Sequence, residues 1–248
     1  MSTSAPPELS TQRRREVLRQ AWSVGIATGA YGISFGALAV ASGLNVGQTQ
    51  LLSAAMFTGG SQFAFIGIIG TGLAAAPAAI ATAAMLGIRN GLYAIQNARF
   101  LEVSGLRRVL AAHLTIDEST AVGIGQPEER GQRLGFWHTG IAVFVFWNLM
   151  TFVGALAGNA LGDPKRFGLD AAAAAAFCAL LWPRLRSADA RLTAAIAIAV
   201  ALSLVSFVPA GVPVLVASLA AVVVGWARHG RHEALQEGDD LIGADPTP

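Results

Sequence analysis

Three short stretches of this chain place polar side chains inside otherwise apolar sequence, and any chemistry has to be sought there first. Residues 58–63 read Thr58-Gly59-Gly60-Ser61-Gln62-Phe63. Adjacent glycines lower helix propensity, so a helix is expected to break or begin here. A helix beginning there points unpaired backbone N–H groups outward, and its positive dipole end attracts an anion such as a carboxylate. Ser61 and Gln62 add side-chain hydrogen-bonding atoms. The plainer reading is a glycine-packed helix whose Gln62 bonds a neighbour.

The second stretch is Arg89-Asn90-Gly91-Leu92-Tyr93. Arg89 and Tyr93, four apart, share one face of a helix. An arginine at the centre of a bilayer costs at least about 2.5–3.5 kcal/mol unless it is paired or solvated. Arg89 therefore needs a carboxylate, or it snorkels to the surface. The third stretch, His113-Leu114-Thr115-Ile116-Asp117-Glu118-Ser119, supplies two. Read as one helix, it puts His113 and Asp117 on a common face and turns Asp117 and Glu118 roughly 100° apart. One carboxylate, Asp117 in preference to Glu118, is placed to pair with Arg89 while the other titrates. The rival reading is a solvated loop.

The elements that must position these residues follow from composition. Of 248 residues, 54% are hydrophobic and only 13% charged, where soluble domains carry roughly 25%. Residues 21–42 and 192–227 hold no charge, and residues 48–96 hold only Arg89. Apolar runs of about 20 residues cross a hydrocarbon core, and several of them leave too little polar surface to coat a soluble globule. The expected fold is all-α, a polytopic bundle of six to seven membrane segments. The net charge of +2 and pI near 9.2 do not indicate nucleic acid, because the arginines sit at the ends of apolar runs. The lone Cys178 has no metal-ligand spacing around it, and no cofactor is expected. No metalloprotease, nucleophile-elbow, nucleotide-loop or dinucleotide motif is present. An enzyme is not expected.

Along the chain, residues 1–20 read as a cytoplasmic tail, disordered to about residue 12 and then a basic surface helix. Residues 21–227 read as one transmembrane domain, with apolar runs near 21–42, 48–70, 75–96, 134–161, 168–183, 192–208 and 212–227. Residues 97–133 form the most polar internal stretch, and 228–248 a polar tail. Trp22, Trp137, Trp182 and Trp226 mark run ends, as membrane-interface tryptophans do; Trp147 falls in mid-run. The arginine-rich segments 13–20, 97–133 and 184–191 all favour the cytoplasm. Three full crossings after a cytoplasmic N-terminus would strand 97–133 outside. A broken or re-entrant segment within 48–96 removes the conflict; seven crossings with an external N-terminus is the alternative. Broken segments are where transporters place substrate.

Gly25, Gly29, Gly32 and Gly36 fall on one face of the first run, and Gly154, Gly158 and Gly162 repeat the spacing in the fourth. Such stripes let helix backbones approach closely. The plain reading is helix packing, each stripe meeting a helix of this chain or of another, with the two serving different contacts; the other reading is a thin wall of a substrate path.

The order of these motifs resembles the AzlC family, the large subunit of branched-chain amino acid exporters. Its F-x-G-x-S-Q-F segment matches Phe57 to Phe63, its N-L-R-H-x-x-Y segment matches Gly87 to Tyr93, and its T-D-E-S segment matches Thr115 to Ser119 around Ile116. The likeness is strongest over about 20–160. Gly87 stands where the family usually has Asn, and Asn90 where it usually has His. The resemblance implies a multi-pass exporter of branched-chain or similar small apolar amino acids in the bacterial cytoplasmic membrane. It also implies a small AzlD-type membrane subunit as partner. On this reading Gly59, Gly60, Ser61, Gln62, Arg89, Asn90, Tyr93, Asp117 and Glu118 bind substrate or gate its path. The rivals are a non-transporting membrane scaffold or assembly subunit, and an exporter of another small metabolite.

Overall fold

A computed structural model describes residues 9–160, 178, 181–182, 185–208, 212–220 and 222–227. Every regular element among them is helical. The chain divides into two compact units, Met1–Ala175 and Ala176–Pro248.

In the first unit, α1 (Thr11–Ala30) is capped by the Ser10 hydroxyl, which accepts from the Arg13 N–H at 3.2 Å. It therefore begins well inside the segment read as a tail. Tyr31 interrupts it for one residue, and α2 (Gly32–Ala41) continues the same path. Together Thr11–Ala41 is long and apolar enough to cross a membrane.

The second apolar run is not one helix. It is two half-helices, α3 (Val46–Ala55) and α4 (Gly60–Ile69), with a break at residues 56–59. Each rises about 15 Å, half the thickness of a hydrocarbon core. Asn45 and Gln48 cap α3 reciprocally, at 2.8 and 2.9 Å. At the far end, a Cβ on Gly70 would lie 3.1 Å from that of Ser42. The 43–69 segment thus leaves the end of α2 and returns beside it.

A short 3-10 turn leads to α5 (Ala76–Leu101), which outruns the hydropathy boundary at residue 96. The polar stretch 97–133 is mostly helical rather than a loop. It holds α6 (Gly105–His113), α7 (Asp117–Ile124) and the start of α8 (Glu129–Ala160). Leu73–Leu101 and Glu129–Ala160 complete the three candidate spans among the described residues.

The two glycine stripes make one interface, correcting the expectation of separate contacts. Gly25 faces Ala142, Gly29 faces Phe146, Gly32 faces the Trp147 carbonyl and Gly36 faces the Thr151 carbonyl. In return Gly154 faces Ile33, and Gly158 faces Ala37. Residue numbers rise together on both sides, so α1–α2 and α8 run parallel. In lipid this close approach, rather than hydrophobic transfer, holds helices together. At the lower-numbered ends, Arg13 donates to Gln126 Oε1 at 2.9 Å and lies 3.7 Å from Glu128, while Gln126 donates to Gln20 at 3.0 Å. The basic start of α1 and the α7–α8 turn therefore lie at the same end of the bundle.

The second unit contains α9 (Ala188–Leu204), capped by Ser187, and the apolar helix α10 (Val212–Ala227). The sixth and seventh runs fall on them. Gly162 and all but three residues of the fifth run lie outside the described residues.

Candidate functional site

The α3–α4 break is built by its glycines. Met56 closes α3 by donating its N–H to the Leu52 carbonyl at 2.9 Å, and the Thr58 N–H turns back to Met56 at 2.8 Å. Gly59 then adopts φ +56°, ψ −86°, a conformation that suits glycine. α4 starts at Gly60 with no side chain capping its N-terminus.

Gln62 ties the halves together. It is fully buried, and its amide donates to the Leu52 and Ser53 carbonyls at 3.3 and 3.1 Å. A side chain in the first turn of α4 thereby satisfies the Ser53 carbonyl, which the broken helix leaves open, and adds a second donor to the Leu52 carbonyl that Met56 already engages. α3 is fixed to α8 in turn, through Ser53 to Thr151 at 3.3 Å and Gln50 to Asn148 at 3.2 Å.

Arg89 reaches across this break. It lies twelve residues before the end of α5 at Leu101, about 18 Å along the axis, too deep for easy snorkelling. Its Nη2 donates to the Thr58 carbonyl at 3.4 Å and meets Asp117 Oδ2 at 3.1 Å. A Cβ on Gly60 would lie 3.3 Å from the same nitrogen. Arg89 and Asp117 are each rather more than a quarter exposed. The need of a mid-span arginine for a carboxylate pointed to Asp117, and the structure places the two in contact.

Asp117 is positioned by a tight corner. The Ser119 hydroxyl donates to the Leu114 carbonyl at 2.6 Å and accepts from the Ile116 N–H at 3.1 Å. Asn97 of α5 holds α7 in place through Thr120 at 2.9 Å. This corner separates His113 from Asp117: His113 ends α6 and Asp117 begins α7, so the two do not share a helix face. The His113 ring packs between Phe57 and Phe144 instead, with centroids 5.9 and 5.6 Å away. Glu118 follows Asp117 in the same first turn, half-buried, and Asn90 and Tyr93 are half-buried on α5 beside and one turn beyond Arg89.

The electrostatic consequence is specific. The N-terminus of α4 carries a partial positive charge, and a guanidinium lies against it. Two positive groups converge in an apolar bundle, and Asp117 is the anion seen to answer them. An additional carboxylate would find both an ion-pair partner and backbone donors here.

Several buried polar atoms of this region have no hydrogen-bond partner in the protein: Tyr31 Oη, Thr58 Oγ1, Ser61 Oγ, Asn90 Oδ1 and Trp147 Nε1. The same holds for Gln62 Oε1 at the break, for Thr49 Oγ1 and Gln50 Oε1 on α3, and for Thr139 Oγ1 on α8. Buried polar groups normally find partners, in protein, water or ligand. Ser61 is 1% exposed, and its hydroxyl lies 3.9 Å from the position a Cβ on Gly87 would take. Tyr31 and Trp147 were not singled out from sequence. They form one aromatic cluster with Phe35 and Phe63, with centroids 5.4–6.3 Å apart. The available signal was Trp147 itself, the one tryptophan away from a run end.

Three helices long and apolar enough to cross a membrane, with a broken helix between the first two and an ion pair at the break, are the build of a helical membrane protein. A family model described as AzlC protein matches residues 23–161. The chain belongs to the AzlC family, a membrane transport-related family, and the matched residues include the whole α3–α4 break, Arg89 and Asp117. Neither the curated proteins nor the solved structures offer a match to the chain.

Proposed function

We propose that this chain is the large subunit of a secondary exporter of branched-chain or similar small apolar amino acids in the bacterial cytoplasmic membrane. The observation that carries this reading is the uncapped N-terminus of α4 set against Arg89 and Asp117. The substrate carboxylate binds the Gly60 and Ser61 backbone N–H groups and the Arg89 guanidinium. Asp117, released from Arg89 or shared with it, faces the substrate ammonium. The Tyr31, Phe35, Phe63 and Trp147 rings supply an apolar wall suited to an aliphatic side chain. Gln62 keeps the half-helices in register, and Glu118 serves with Asp117 as a gating carboxylate.

Orientation follows the same observations. Arg13 meets Gln126 and Glu128 at one end, so residues 13–20 and 97–133 lie together on the cytoplasmic side, as their arginines favour. The α3–α4 hairpin enters from the opposite side and returns to it, where Ser42 meets Gly70. Broken segments are allowed at membrane depth when protein or a polar cavity satisfies their backbone, and Gln62 and Arg89 do part of that here. The small AzlD-type subunit docks on another face than the glycine stripes, because those are occupied within the chain.

Counterflow of radiolabelled leucine, isoleucine and valine into vesicles holding the chain and its co-expressed partner tests the reading. Saturable exchange is expected. Absence of exchange for every small neutral amino acid, in vesicles where the complex is intact, sinks it in favour of a scaffold.

A further inference from the structure

The corner between α5 and α6 carries a surface that the transport site does not use. Only Ala111 of α6 is buried. Leu106, Val109 and Leu110 make an i, i+3, i+4 apolar stripe, exposed by 74%, 63% and 48%. Arg107 borders the stripe and Arg108 lies on the groove side of α6 with Ala112; both are exposed. No ion pair among the described residues engages Arg99, Arg107 or Arg108. Glu102, an acid close to them in sequence, is held by Arg133. Between α6 and the last turns of α5 runs a groove of about 530 Å³, lined by aliphatic side chains such as Ile95, Ala98 and Leu101, with Asn97, Thr115, Arg108 and the Arg133-paired Glu102 also in its wall.

α6 begins four residues after a membrane-length helix ends, and the end of such a helix is where a chain leaves hydrocarbon for headgroups. A short helix with a bare aliphatic stripe and unpaired arginines matches the pattern of helices that lie in that plane. Unpaired arginines select an anion, and an aliphatic groove beside them selects a chain attached to it.

We propose that α6 is an in-plane helix that binds an anionic phospholipid. Arg107 and Arg108 take its phosphate, the Leu106–Leu110 stripe lies among acyl chains, and the groove receives one chain. This does not rest on the transport reading.

The test uses the full-length protein in neutral detergent. Binding of phosphatidylglycerol, of phosphatidylcholine with the same chains, and of inorganic phosphate is followed by native mass spectrometry. Wild type should prefer phosphatidylglycerol. An arginine beside an anionic headgroup is worth roughly fivefold in affinity, so Arg107→Gln with Arg108→Gln should cost roughly twenty-fivefold for phosphatidylglycerol and nothing for phosphatidylcholine. Arg15→Gln with Arg19→Gln, the same charge change at exposed positions of α1, should change little. Leu106→Ser with Leu110→Ser should weaken both lipids. Equal binding of the two lipids, unchanged phosphatidylglycerol binding in the α6 double variant, an equal loss in the α1 control, or full displacement by inorganic phosphate would each overturn the proposal.

Discussion

Gly36 lies at one of the closest approaches in the bundle, and adding one methyl group there has a calculable effect. A Cβ at this position falls onto the Thr151 carbonyl oxygen and 2.7 Å from the Ala155 nitrogen. Both obstacles are backbone atoms of α8, so no rotamer change relieves them. α2 and α8 must separate by roughly an ångström, which loosens the interlocked glycine contacts on either side. Overpacking of this kind costs about 1–3 kcal/mol, against about 1 kcal/mol gained from replacing a helical glycine. Because both obstacles are backbone, the cost falls at the upper end of that range, and Gly36→Ala should be destabilising by about 2 kcal/mol. Gly67 on α4 provides the contrast, since a Cβ there meets nothing within 4 Å. Gly67→Ala makes the same chemical change without a clash and should stabilise by about 1 kcal/mol. Thermal unfolding in detergent, followed by tryptophan fluorescence, reads both. A Gly36→Ala protein as stable as wild type, or shifts of the same sign for the two variants, would refute the interlocked-stripe account.

Other outcomes follow from the same geometry. Gln62→Leu removes the donor from the Ser53 carbonyl, while Leu52 keeps the Met56 N–H; losing a buried partner costs about 1–3 kcal/mol, and a lowered unfolding midpoint should show it. Tyr31→Phe and Ser61→Ala delete buried hydroxyls that have no protein partner, so stability should hold while substrate affinity falls in counterflow assays; a fall in stability with unchanged affinity would assign both to the scaffold. In a Cys178→Ala background, cysteine at Arg107 should react with an impermeant reagent only from the cytoplasmic side, and cysteine at Asn45 only from outside. Labelling of Arg107→Cys from outside would invert the orientation.

The runs near 21–42, 75–96 and 134–161, which fall on the three membrane-length helices among the described residues, were legible because hydropathy records them directly, and the Arg89–Asp117 pair was legible because a charge in mid-span needs a partner. The break within 48–96 was legible from charge bookkeeping and from Gly59-Gly60. What sequence could not supply was register between distant helices. That Gly36 meets Thr151 while Gly154 meets Ile33 depends on α1–α2 and α8 running parallel, which no local pattern encodes. The His113–Asp117 reading failed because one helix was assumed where Ser119 folds the chain into a corner. Tyr31 was invisible because its surroundings come from the Phe63 and Trp147 rings, brought by other helices.

The central claim is that a substrate carboxylate binds where α4 begins, with Arg89 and Asp117. Counterflow through the reconstituted complex should be measured for Arg89→Gln, Asp117→Asn and the double variant. Losing one member of a buried pair costs about 3–5 kcal/mol; with both side chains more than a quarter exposed, about 1–3 kcal/mol is expected after solvent screening. Each single variant should lose roughly ten- to a hundredfold in exchange rate, and the double variant far less than the product of the two. Wild-type exchange in both single variants, in protein that folds and retains its partner, would contradict the claim.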